Sequence, residues 1–205
     1  MIDFSIVGPI VFIMALGDLI LHLQLDLRKV RSPGEGRFQE PSTTLPMYAM
    51  VMVVISTLLA FLIVFLIPVA WALNIGTQLF HLFIPLLDPP SMIWVTGFLL
   101  LVLGILLHGW SRHARQEMAF SWAMSRTHRL VTNGPYSRVR HPSYTSYFLS
   151  FLGLLLMLPS LVTLLLILGF PGYYGIALAE EQHLISHFGD DYVNYMSCTG
   201  RFLPV

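Results

Sequence analysis

The sequence predicts an all-α, polytopic integral membrane protein with five transmembrane helices and a polar C-terminal region on the cytoplasmic side. Three observations carry that prediction. Hydrophobic residues fill 56% of the 205 positions and charged residues only 11%, a balance outside that of ordinary soluble domains. Four long runs are nearly free of charge: residues 4–25 are interrupted only by Asp18 and His22, and residues 41–87, 89–111 and 141–179 contain no Asp, Glu, Lys or Arg. All 11 Lys and Arg fall in three clusters, which an odd number of crossings places on one side of the membrane.

A crossing takes about 20 residues, or about 30 Å of helix. The first run supplies one span, and because no basic n-region or small-residue cleavage signature accompanies it, it reads as a retained span rather than a leader. Residues 47–73 supply the second. The remainder, residues 74–87, reaches only about 20 Å as helix and is expected as an interfacial or re-entrant segment. Residues 89–111 form the third span. Residues 141–179 would reach about 58 Å and are broken by Pro159-Ser160, which predicts a tight hairpin of two spans, 144–158 and 161–179.

The basic clusters test the count of five. Arg28, Lys29, Arg31 and Arg37 lie between spans one and two; Arg112, Arg115, Arg126, Arg129, Arg138 and Arg140 between three and four; and Arg201 in the tail. Five spans put all of them in the cytoplasm, with the N-terminus outside and the C-terminus inside. The loop of residues 26–46 has the composition of a mobile connector. Zero net charge argues against nucleic acid as a partner, and the single cysteine, Cys198, makes no internal disulfide.

Residues 128–146, HRLVTNGPYSRVRHPSYTS, are the most informative stretch. Gly134-Pro135 and His141-Pro142 break helical geometry directly against an apolar run. Irregular backbone at membrane depth persists only where protein or a water-filled cavity covers it, so a pocket is expected here. The tail opens with Glu180-Glu181 where the fifth span leaves the bilayer. Leu184, Ile185, Phe188, Tyr192 and Tyr195 follow at three-to-four spacing, which predicts short amphipathic helices lying against the membrane.

Two motifs in these segments, LVTNGPYSRVRHPSY and EEQHLISHFGDDYVNYMSCTGRFLP, stand in order around the two-span hairpin. They resemble the membrane methyltransferase superfamily of isoprenylcysteine carboxyl methyltransferases and small phospholipid methyltransferases, over residues 130–204. The resemblance implies one domain over residues 1–205, with three N-terminal spans in 1–111 and a cofactor-binding loop, hairpin and tail in 112–205. It also implies S-adenosylmethionine bound from the cytosol and a lipophilic, prenylated or lipid acceptor entering from the bilayer.

Such a cofactor needs an apolar slot, an anionic acceptor group and donors for a carboxylate. Leu130, Val131, Tyr136 and Tyr144 suit the slot, His141 and Arg140 the donors, and Glu180 or Glu181 the acceptor. By the family pattern Gly134, Tyr136, His141, Pro142 and Glu181 bind cofactor, His141 and Glu181 at the aqueous edge of the pocket, while Glu180 and Arg140 are assigned to catalysis. One position departs. The carboxyl methyltransferases carry an arginine four residues before the paired glutamates, where a guanidinium fork can orient a carboxylate; here it is Ile176, and Arg112, Arg115 or Arg138 could replace the clamp from another segment.

Three other readings compete with this one. Glu180-x-x-His183 is half of a di-iron carboxylate box, but no second half exists, so a metal oxidase or hydroxylase lacks its ligands and no metal ligand is assigned. A sterol reductase of related fold needs more spans. A transporter or structural membrane protein would rest on Asp18, which His22 one turn away can satisfy, and no inverted repeat accompanies it.

Overall fold

A computed structural model describes residues 4–31, 44–115 and 129–205, and the body of the connector, Arg37, Arg126 and His128 lie outside the described residues. The described residues form helices and no strands: α1 (Phe4–Arg31), α2 (Met47–Ala72), α3 (Gly76–Leu82), α4 (Ser91–Arg115), α5 (Pro142–Met157), α6 (Leu161–Leu164), α7 (Gly169–Phe188) and α8 (Asp190–Ser197). One 3-10 turn, Gly134–Ser137, precedes α5, and another, Leu165–Leu168, joins α6 to α7.

The predicted hairpin break is real. Helix α5 stops at Met157, and Ser160 caps α6 reciprocally with Thr163: Thr163 N–H donates to Ser160 Oγ at 3.1 Å and Ser160 N–H to Thr163 Oγ1 at 3.0 Å. The segment expected to be re-entrant forms the seven-residue α3 and then pairs with this turn, Leu86 N–H donating to Pro159 O and Leu161 N–H to Ile84 O.

Four helical stretches, Ser5–Leu27, Met47–Ala72, Ser91–Arg115 and Leu161–Phe188, are long and apolar enough to cross a membrane. The protein is therefore an integral membrane protein. The fourth predicted span is α5, whose 16 residues rise about 24 Å, short of a full hydrocarbon core. The last helix also continues past Ala179 to Phe188, so Glu180 and Glu181 lie within a helix rather than at its end.

Large apolar side chains such as Ile13, Leu58 and Met92 face outward, as lipid contact requires, and the interior holds Val7, Ile63, Leu101, Phe151, Leu154 and Leu166. Lipid is as apolar as leucine, so close packing rather than water exclusion must hold such helices together. The α4–α5 seam is the longest interface, and it closes over glycines. A Cβ on Gly97 would stand 2.7 Å from Gly153 O, and one on Gly153 would stand 2.6 Å from Gly97 O and from Leu101 N. Close backbone approach of this kind sets α5 in place and, with it, His141 at its N-terminus.

Candidate functional site

The loop before α5 turns at Gly134, whose φ of 59° lies in the left-handed region that glycine tolerates. Pro142 occupies the first helical position of α5, where its missing N–H costs nothing, so the helix begins directly after His141. The C-terminal tail is stitched to this loop in register. Arg140 N–H donates to Gly200 O at 2.8 Å, His141 N–H to Arg201 O at 3.0 Å and Gly200 N–H to Arg138 O at 3.1 Å. Thr145 Oγ1 donates to Phe202 O at 2.7 Å.

At the centre stands Glu181, buried, with two guanidinium groups and an imidazole on its carboxylate. Its Oε1 accepts from Arg140 Nε at 3.0 Å, His141 Nε2 at 3.2 Å and Arg201 Nε at 3.0 Å; its Oε2 accepts from an Arg201 terminal nitrogen at 2.7 Å. Arg140 also donates to the carbonyls of Met196 and Thr199. Glu181 thus joins the loop, α7 and the tail. Glu180 accepts from Tyr144 O–H at 2.8 Å, and His141 Nδ1 lies 3.3 Å from the same oxygen.

The charges shift the groups around them. Burial alone would depress the His141 imidazole, but its bonds to the Glu180 and Glu181 carboxylates outweigh burial and hold it above the ordinary histidine value. Arg201 is pushed up by its bond to Glu181, and Tyr136 by burial. The His141 ring stacks on Tyr144 at 5.1 Å, and Tyr144 packs on Tyr173 at 4.7 Å, so an aromatic column backs the site.

Above this knot opens a cleft. Of the residues singled out from the sequence, Leu130, Val131, Tyr136, Arg140, His141, Tyr144 and Glu180 line it. Gly134, Pro142 and Glu181 do not; they shape or brace the wall from behind. His141 and Glu181, expected at an aqueous edge, are buried, because each satisfies the other's charge.

The tail corrects a second expectation. Tyr192 and Tyr195 do not lie against the membrane: both are buried, both line the cleft, and Tyr195 O–H donates to Tyr136 O at 2.6 Å. Leu184 and Phe188 of the same stripe also face the cleft. The apolar spacing identified the stripe; its partner proved to be the loop. Ser143 is a further lining residue that sequence reasoning missed; Arg115 and Arg129, which also line the cleft, and Arg201 were counted among the topology charges. The TGR triplet within the second motif was the available signal. Glu180, His183 and His187 form no metal-ligand group among the described residues.

Comparison with known proteins places similarity over the same part of the chain. The sequence model of the phospholipid methyltransferase family matches residues 92–191, which covers α4, the loop, the hairpin and the start of α8. The chain is 41% identical over 83 residues to a protein-S-isoprenylcysteine O-methyltransferase of Schizosaccharomyces pombe, covering 40% of this chain and 35% of that protein. It is 35% identical over 112 residues to the cobalt-zinc-cadmium resistance protein CzcN of Cupriavidus metallidurans, covering 54% of this chain and 51% of that one. It is 32% identical over 112 residues to the nickel-cobalt-cadmium resistance protein NccN of Alcaligenes xylosoxydans xylosoxydans, with 54% and 52% covered. The chain spans between about a third and about half of the length of these curated relatives. Residues 92–191, from α4 through the loop and hairpin to the start of α8, are thus similar to the phospholipid methyltransferase family, and part of the chain is similar to a protein-S-isoprenylcysteine O-methyltransferase.

Proposed function

We propose that this protein transfers a methyl group from S-adenosylmethionine, bound in the cleft, to a lipophilic acceptor that arrives from the bilayer. The observation that carries the reading is the cleft itself, a polar, charge-braced chamber at one end of an otherwise apolar bundle. Its donor set fits the cofactor: Leu130, Val131 and Leu184 offer an apolar slot, Tyr136 and Tyr192 aromatic faces, Glu180 a carboxylate and Arg115 and Arg129 guanidinium groups. When bound, the cofactor supplies an electrophilic methyl on a sulfonium.

The chain's own part is positioning. Transfer by in-line displacement requires near-attack geometry and exclusion of water, with no covalent enzyme intermediate. Glu180, held by Tyr144, is the residue proposed to meet both cofactor and acceptor. Arg140 acts as a positioning residue, since its donors are directed at Glu181 and the tail carbonyls. Ile176, buried one turn before Glu180, offers no guanidinium fork, which favours an amine or thiol acceptor over a carboxylate.

Two measurements test this. S-adenosylhomocysteine at a hundred times its dissociation constant is expected to stabilise the purified protein by about 2.7 kcal/mol, and radiolabelled methyl is expected to pass into an amine- or thiol-bearing lipophile faster than into a farnesylcysteine analogue. Absence of stabilisation would remove the cofactor from the cleft; strong carboxyl methylation would refute the acceptor preference and put Arg115 forward as the clamp. The cleft is proposed to face the cytoplasm, following the basic clusters. Cys198 is exposed, so a membrane-impermeant thiol reagent should label it in inverted vesicles and not in intact cells. Labelling of intact cells would reverse the orientation.

A further inference from the structure

A second cavity, with room for about 410 Å³ and open on one side, lies among α1, α2, α4 and α5. Its walls are mostly apolar, with Leu19, Phe61, Val64 and Ile105 among them, yet Asp18, His22 and His108 meet on one side of it. The ligand atoms of these three side chains lie within 4.8 Å of one another. The sequence shows Asp18 and His22 as a self-contained pair on one helix; α4 brings the third member.

The hydrogen bonds decide which ring nitrogens carry protons. His22 Nδ1 lies 2.8 Å from the Asp18 carbonyl oxygen, which only accepts, so Nδ1 holds the proton of the neutral ring and Nε2 presents a lone pair. His108 Nδ1 lies 3.3 Å from Ser146 Oγ, and that hydroxyl gives its own proton to Ser143 O at 2.5 Å. Ser146 must therefore accept from His108 Nδ1, which again leaves Nε2 with a lone pair. Imidazoles held in one tautomer by an outer oxygen are the usual state of metal-ligating histidines.

Asp18 supplies the anionic partner. Its Oδ1 is buried with no hydrogen-bond partner, a costly state for a carboxylate oxygen among apolar walls. Gly109 of α4 faces it, and a Cβ there would lie 3.5 Å away, so the helices approach closely at this point. Arg112, whose charge reaches Asp18, is itself paired with Asp26 at 2.6 Å.

We propose that Asp18, His22 and His108 form a site for a divalent first-row transition cation of the zinc class, with its remaining coordination position open to the cavity. Two neutral imidazoles and a carboxylate are a ligand set that zinc accepts, and three protein ligands plus one exchangeable position mark sites that bind a further molecule. Ligand atoms around a tetrahedral zinc stand about 3.3 Å apart, so metal binding would draw the three side chains together by up to about 1.5 Å. The apolar walls favour water or a lipophilic molecule with a donor atom as the fourth ligand. This site is independent of the methyl-transfer reading.

The test uses the full chain in detergent, free of any histidine tag and stripped with a chelator, titrated with Co²⁺ and then with Zn²⁺. One equivalent of cobalt should give the intense visible ligand-field bands of a low-symmetry four-coordinate ion, and zinc should abolish them. His22→Gln and His108→Gln should each lose both the bands and the stoichiometric binding. Ser146→Ala keeps all three ligands while freeing the His108 tautomer, and should weaken binding about 10- to 100-fold. If either histidine variant fails to fold, the Ser146→Ala affinity decides. Cobalt uptake no greater than in an Asp18→Asn, His22→Gln, His108→Gln triple variant would overturn the site, and wild-type affinity in Ser146→Ala would overturn the tautomer argument that supports it.

Discussion

Glu181→Gln is expected to lower the stability of the folded protein by about 3–5 kcal/mol, the usual cost of leaving one partner of a buried ion pair without the other. The amide keeps the shape of the carboxylate but not its charge, and it leaves Arg140, only 10% exposed at its side chain, beside Arg201 with nothing to neutralise them. The tail should then loosen from the loop, because the Arg140 and Arg201 bonds to Glu181 reinforce the backbone bonds that hold residues 199–202 beside residues 138–141. Thermal unfolding in detergent reads the first effect, and limited proteolysis near Gly189 reads the second. Adding Arg140→Gln should restore part of the loss, since the orphaned charge disappears with it. A Glu181→Gln protein as stable as the parent, with a protected tail, would show that the three-way ion cluster does not dock the tail.

Gly153→Ala should destabilise by about 1–3 kcal/mol, and Gly153→Leu by more, because the added atoms meet the backbone rather than a movable side chain. A methyl at this position would stand 2.6 Å from Gly97 O and Leu101 N, and only separation of α4 from α5 relieves that contact. Since α5 carries His141 on its first turn, binding in the cleft should weaken along with stability. Gly17→Ala in α1 is the control: a Cβ there meets nothing within 4 Å, and the change should be neutral or stabilising by up to about 1 kcal/mol through helix propensity. Equal effects at the two positions would mean that close packing at the seam contributes no more than propensity does.

Both expectations concern features that the sequence does not reveal. Nothing local distinguishes Gly153 from Gly17; the difference is the neighbouring helix. Likewise Glu180-Glu181 resembles a helix end at the bilayer surface, since charges in an apolar run ordinarily mark its boundary. The helix runs on to Phe188 because Arg140, His141 and Arg201 neutralise Glu181, and Arg140 lies 41 residues away from it along the chain. The same limitation explains Tyr192 and Tyr195. Three-to-four spacing identifies the apolar face of α8, but a face can be covered by lipid or by protein, and only the fold showed the loop at Tyr136 covering it.

What the sequence determined by itself is whatever depends on neighbours along the chain. Uninterrupted hydropathy set the long helices, Pro159-Ser160 the break between α5 and α6, and Gly134-Pro135 with His141-Pro142 the irregular loop that became the wall of the cleft. These follow from solvation of the backbone and from proline and glycine stereochemistry, which act within a few residues. The tertiary structure alone decided which charges are paired, which carboxylate faces the cleft and which braces it, and that His108 completes a cluster begun by Asp18 and His22. Electrostatic pairing and ligand convergence depend on separation in space, and for these residues the helices that supply the partners lie far apart in the chain.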